Sequence, residues 1–208
     1  MILHHVPSLV QKAYPNYTWH KCRTNQQIYL TFDDGPVPGI TDKVLDILEK
    51  YQYKATFFMV GDNVHKHAAL AREVMAAGHL IGNHTYHHIR GNNSSTAEYF
   101  ADFQKCQHML GETLGFTATL FRPPYGRISS DQAKEIGKTH EVIMWDVLSG
   151  DYDMNISPAK ILKKTKKHTQ NGSIIVFHDQ QKTSGRLPSL LSDFLEYTSG
   201  EGFLPHTL

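Results

Sequence analysis

The feature that most constrains this chain is an alternation along its 208 residues. Short runs of β-branched and aromatic residues are followed, roughly seven times, by segments with helical spacing of apolar side chains. Ile28–Phe32, Ala55–Val60, Leu80–Gly82, Leu120–Arg122, Val142–Trp145 and Ser173–Phe177 read as strands, with Phe203–Leu208 as a last one. Between them, Ile40–Lys50, His65–Ala77, Ser130–Ile136, Ser157–Thr169 and Leu187–Tyr197 read as helices. A further helix opens at the capping box Ser95-Thr96-Ala97-Glu98 and runs to about Leu114. Repeated strand-then-helix implies a parallel sheet covered by helices, left open or closed as a barrel. The expectation is therefore an α/β fold with about seven parallel strands. In a closed barrel the chemistry sits at the C-terminal ends of the strands, so polar residues just after the apolar runs are the ones to weigh.

Composition narrows the function without naming it. Apolar residues make up 40% and charged residues 20%, an ordinary globular balance. A formal net charge of +1 offers no electrostatic reason to expect nucleic acid or an anionic membrane as partner. No apolar run approaches the ~20 residues of a membrane span. The N-terminal residues lack a basic stretch followed by an apolar core, so the chain is expected to be cytoplasmic, or exported with a leader outside this sequence. Cys22 and Cys106 are far apart, have no metal-ligand spacing, and are expected to be two unrelated thiols rather than a disulfide. Histidine, with 14 residues, makes metal sites worth seeking.

Five segments carry chemistry. Thr31-Phe32-Asp33-Asp34-Gly35-Pro36 places two adjacent carboxylates at the end of an apolar strand, where they repel unless a cation sits with one of them. Read by itself, Asp-Gly is a common turn pair. In His84-Thr85-Tyr86-His87-His88 the first and last imidazoles are four apart, which on a helical turn puts both on one face and leaves His87 aside. Together these segments offer two imidazoles and one carboxylate, with open positions for water and substrate, as catalytic zinc sites require. The second carboxylate can then take a proton from the water the metal polarises, and spacing does not say which aspartate does which. In Phe121-Arg122-Pro123-Pro124-Tyr125, Arg122 can orient a carboxylate, and Tyr125 supplies the first backbone N–H after the prolines, a candidate oxyanion donor. Trp145-Asp146-Val147-Leu148-Ser149-Gly150-Asp151-Tyr152 adds Asp146, Asp151 and two aromatics. Ile174–Asp179 is a buried strand ending in His178-Asp179, and His178 is a candidate general acid. No Gly-x-Ser-x-Gly elbow, P-loop or Gly-x-Gly-x-x-Gly is present, so serine hydrolase, nucleotide and dinucleotide readings lack their main feature.

Taken in order, the five segments resemble the polysaccharide deacetylases of carbohydrate esterase family four, which carry the NodB homology domain. Thr31–Pro36 is similar to the family's first motif, His84–His88 to its His-Ser/Thr-x-x-His motif, and Arg122–Tyr125 to Arg-x-Pro-Tyr. Residues 148–152 and 174–178 match the fourth and fifth motifs in part. The resemblance implies a distorted (β/α) barrel over residues 27–208, with residues 1–26 as an N-terminal extension packed on it. It implies removal of N-acetyl groups from N-acetylglucosamine-type sugars, or, as the alternative, hydrolysis of another amide, a ureide or an O-acetyl ester. It also implies roles. Asp34, His84 and His88 would bind one divalent metal, zinc first and Co2+, Ni2+ or Mn2+ as alternatives. Asp33 would be the base, Arg122 its support, Tyr125 the oxyanion donor, His178 the acid and Asp151 the residue tuning it. Tyr152 and Val176 would line the acetyl pocket with Tyr125. Tyr152 replaces the family's usual Trp and Val176 its usual Leu, and Leu148 stands where an Asp is usual, so the pocket is expected to differ in shape.

Overall fold

All pairings between strands are parallel, as the alternation of strand and helix requires. The structure is a computed structural model and describes residues 3–208. Residues 1 and 2 of the expected N-terminal extension lie outside the described residues. The strands are β1 (Gln27–Asp33), β2 (Thr56–Met59), β3 (Leu80–Asn83), β4 (Leu120–Phe121), β5 (Glu141–Val142), β6 (Val147–Leu148), β7 (Ile174–His178) and β8 (Leu204–His206). The helices are α1 (Ser8–Ala13), α2 (Thr41–Lys50), α3 (Gly61–Lys66), α4 (Ala68–Ala76), α5 (Thr96–Leu114), α6 (Ser130–Ile136), α7 (Pro158–His168) and α8 (Leu187–Gly200). Strand order is β5-β4-β3-β2-β1-β7-β6, with β8 pairing to the start of β1.

The connection between the two edges forces the sheet to curl. Laid flat, seven strands would hold their outermost members about 29 Å apart. The chain crosses from Val142 in β5 to Val147 in β6 in five residue steps, a reach of about 17 Å. The sheet therefore wraps into a distorted, incompletely closed barrel. The N-terminal segment lies along the gap. Thr18 pairs with Ile143, His5 pairs with Val147, and Val6 and Trp19 pack on Met144.

The alternation of side chains in β1 then divides the interior. Ile28, Leu30 and Phe32 face the helical shell, in one core with Val44, Leu48, Leu191 and Phe194. The intervening positions point inside the barrel. Tyr29 joins Phe58, Leu120, Ile143 and Ile174 in an apolar plug, while Thr31 and Asp33 meet the buried guanidinium of Arg122 at the C-terminal end.

Three local expectations change. The segment 142–145 is not one strand, because Arg122 takes the carbonyls of Ile143 (3.3 Å) and Met144 (3.0 Å) and so withdraws them from sheet pairing between the end of β5 and the start of β6. The helix expected over 65–77 breaks at His67, whose ψ of 44° leaves the helical region. His84–His88 is not a helical turn but a loop with Thr85 at φ 62° and His88 at φ 55°. The Ser95–Glu98 capping box is present in both directions, and Cys22 and Cys106 are free thiols.

Candidate metal centre and active-site groove

Every residue singled out for chemistry except Asp146 gathers at the C-terminal ends of the parallel strands. Asp33 ends β1, Asp34 follows it, His84 follows β3, Arg122 follows β4 and His178 ends β7. Asp33 and His178 are register partners on adjacent strands. An open groove of about 780 Å³ is lined by Asp33, Asp34, His84, His88, Tyr125 and His178. Asp146 serves the fold instead. Its carboxylate accepts from Arg23 (2.9 Å), Ser173 (3.1 Å) and Ile174 N (2.9 Å), tying the N-terminal segment to β7.

Among the described residues, Asp34, His84 and His88 form a group whose ligand atoms lie within 4.8 Å of one another. His84 Nδ1 stands 2.7 Å from Arg122 O. A carbonyl only accepts, so Nδ1 carries a proton, and in the neutral tautomer this fixes, the Nε2 lone pair turns to the groove. That lone pair faces Asp34 Oδ1 at 3.6 Å, and His88 Nε2 lies 3.0 Å from the same oxygen. Despite these short separations Oδ1 is buried and makes no directed hydrogen bond among the described residues. With both rings neutral, a carboxylate oxygen facing imidazole lone pairs is repulsive unless a cation lies between them, so this donor set fits a divalent metal.

The histidine loop is held in place by side chains absent from the sequence motifs. Asn83 Oδ1 accepts from Thr85 N (2.9 Å). Asp102, on α5, accepts from Tyr86 N (2.9 Å), His87 N (3.0 Å) and His87 Nδ1 (2.5 Å). Asp34 itself has φ 85°, and this left-handed residue, rather than the glycine after it, ends the regular strand alternation.

Arg122 is fully buried, with four of its five N–H donors engaged. It donates to Asp33 Oδ1 (2.7 Å), Thr31 Oγ1 (2.7 Å) and the two carbonyls named above, and stacks 4.2 Å from the centre of the Phe58 ring. His178 Nδ1 lies 2.8 Å from Asp151 Oδ1, and Asp151 Oδ2 accepts from His178 N (2.7 Å). Burial alone would lower the pKa of His178. Burial is the largest single effect, but the charge and hydrogen bond of Asp151, with the charges of Asp34 and Asp33, together outweigh it, and the imidazole is raised to about 9. Tyr152 packs edge-on against His178 at 4.9 Å. Leu148 and Val176 are register partners and, with Tyr152 and Trp145, make the apolar part of the groove. Tyr125 is half-exposed at φ 59°, its ring 4.6 Å from that of His88.

Sequence reading missed Asn63, Asn83 and Asp102 and left Asp179 without a role. Asn63, Asp102 and Asp179 act through backbone groups of distant segments, which leaves no local sequence signal, whereas Asn83 accepts from Thr85 N two positions on, an Asx turn that the sequence does signal.

Comparison with known proteins identifies the family and the fold. A family profile for polysaccharide deacetylases matches residues 20–142. The peptidoglycan-N-acetylglucosamine deacetylase PgdA of Listeria monocytogenes is 35% identical over 164 residues, which are 79% of this chain and 34% of the relative. The chain thus spans about a third of the length of that relative. A peptidoglycan-N-acetylglucosamine deacetylase of Bacillus cereus is 32% identical over 190 residues, 89% of this chain and 88% of the relative. The crystal structure of the Bc1960 peptidoglycan N-acetylglucosamine deacetylase superposes with a TM-score of 0.90 at 28% identity, covering 98% of this chain and 95% of the other. With a family match over more than half its length and relatives of this similarity, the chain belongs to the polysaccharide deacetylase family.

Proposed function

We propose that this protein is a metal-dependent N-deacetylase of N-acetylglucosamine-type sugars in a polysaccharide or oligosaccharide. The observation that carries the reading is the meeting of Asp34 Oδ1 with the Nε2 atoms of His84 and His88 beside the buried Asp33–Arg122 pair. A divalent ion held by Asp34, His84 and His88, with zinc as first choice, supplies Lewis acidity toward water and the acetamide carbonyl. Asp33 acts as general base. Its Oδ1 is engaged by Arg122, which orients Oδ2 to take the proton of the attacking water. The Tyr125 backbone N–H donates to the oxygen that gains charge as the carbonyl is attacked. His178, protonated through its Asp151 partner, gives its proton to the departing amine. Tyr152 and Val176, with Leu148, receive the acetyl methyl. Residues 27–208 make up the catalytic domain in this reading, and residues 3–26 an extension that closes the barrel gap.

The test is acetate release from N-acetylglucosamine oligomers by protein reconstituted with Zn2+, Co2+, Ni2+ or Mn2+. Activity with at least one metal is expected, and Asp33→Asn should lower turnover about 10²–10⁴-fold with metal content unchanged. An Asp33→Asn variant turning over like wild type would sink the assignment of the base.

A further inference from the structure

Asp34 holds a left-handed φ of 85°, a conformation that a non-glycine residue keeps only where its surroundings over-determine it. What determines it is visible at the peptide that follows. The carbonyl of Asp34 accepts from Asn63 Nδ2 at 2.7 Å. The N–H of Gly35, at the other end of the same planar unit, donates to Asp179 Oδ1 at 3.1 Å. Asn63 comes from α3 and Asp179 from the residue after β7, so one peptide plane is gripped from two different walls of the barrel.

The grip of Asp179 is close and rigid. Asp179 is fully buried. Its Oδ2 accepts from Thr41 Oγ1 at 2.6 Å, Thr41 Oγ1 accepts from Val37 N at 2.8 Å, and Asp179 N donates to Asp33 O at 3.1 Å. A Cβ on Gly35 would lie 2.1 Å from Asp179 Oδ2, so only glycine lets the carboxyl come this near the peptide. With this plane held at both ends and the N–H of Asp34 bonded to Phe58 O (3.3 Å), the backbone of Asp34 is held on both sides, and with it the direction of its Cα–Cβ bond.

We propose that Asn63 and Asp179 are positioning residues that clamp the Asp34–Gly35 peptide and thereby preset the Asp34 carboxylate for the metal. The inference rests on the reading of Asp34 as a metal ligand. It assigns work to a buried acid that the deacetylation chemistry leaves unused.

Zn2+ affinity of the metal-free protein, measured by competition with a chromophoric chelator, tests the clamp without reference to activity. Asn63→Ala and Asp179→Leu should each weaken binding about 10–100-fold, the usual effect of losing an outer-shell partner. Asp179→Asn keeps an acceptor for the Gly35 N–H and should stay close to wild type. Because both residues act on one peptide, the double variant Asn63→Ala/Asp179→Leu should lose less than the product of the single losses. Circular dichroism and thermal melts of the metal-free variants separate positioning from folding, since a purely structural role lowers stability and leaves affinity unchanged. Wild-type affinity in folded Asn63→Ala would overturn the clamp, and this variant decides the matter if Asp179→Leu does not fold. A wild-type protein that binds no Zn2+ would instead sink the metal reading of Asp34, His84 and His88.

Discussion

Arg122 Nη1 lies 2.7 Å from Asp33 Oδ1 where water hardly reaches, the two side chains being 0% and 5% exposed. Each charge is out of water and is compensated by the other and by fixed dipoles. Arg122 spends three of its four remaining N–H donors on Thr31 Oγ1 and the carbonyls of Ile143 and Met144. The pair therefore links β1 and β4 with the connection that crosses the barrel gap.

Removing one partner should show this. Arg122→Met leaves the Asp33 carboxylate uncompensated and two carbonyls without donors, and is expected to cost about 3–5 kcal/mol of stability. Denaturant unfolding measures the loss. An unfolding midpoint equal to that of wild type would mean that the pair contributes little to the fold.

His84 differs from His88 in having its tautomer set by the backbone, through Nδ1 and Arg122 O. His84→Ala should lose bound metal and deacetylase activity together, with the fold retained. Metal analysis of the purified variant checks it, and full occupancy would remove His84 from the centre.

The His178–Asp151 pair predicts a pH dependence whose sign follows from the raised pKa. His178 is charged in the folded protein up to about 9, against an ordinary value of 6.5. The stability the pair contributes is thus fully present below 6.5 and is lost as pH rises through about 9. Acid catalysis needs the same proton, so turnover should fall along the same alkaline limb. A metal bound at Asp34 offsets one of the carboxylates that raise the pKa, which moves the limb of the loaded enzyme below that of the metal-free titration. Asp151→Asn should shift it further toward neutrality. Superimposable pH–rate profiles for wild type and Asp151→Asn would show that Asp151 does not tune the acid.

An amine leaves poorly without a proton, whereas an activated alcohol does not need one. His178→Ala should accordingly lower cleavage of N-acetyl sugars much more than cleavage of an activated acetyl ester, at equal metal content. Parallel turnover measurements on both substrates decide it, and equal losses would argue against a leaving-group role.

Much of this protein was legible in its sequence because the information is local. The period of apolar residues set strand against helix, and the alternation of the two made the sheet parallel. Short motifs at strand ends, Thr31–Pro36, His84–His88, Arg122–Tyr125 and Ile174–Asp179, identified the residues that meet in the groove. Three things were decided only by tertiary structure. The strand expected at 142–145 is cut because Arg122, about twenty residues earlier, takes its carbonyls. The two histidines converge from a loop rather than from a helix, because Asp102, on α5, satisfies the backbone N–H groups of Tyr86 and His87. The Asp34 conformation is set by Asn63 and Asp179, of which Asp179 lies 144 positions beyond Gly35. The physical reason is common to all three. A buried backbone N–H or C=O must find a partner, and which side chain supplies it depends on what the fold brings near, not on the residues beside it in the chain.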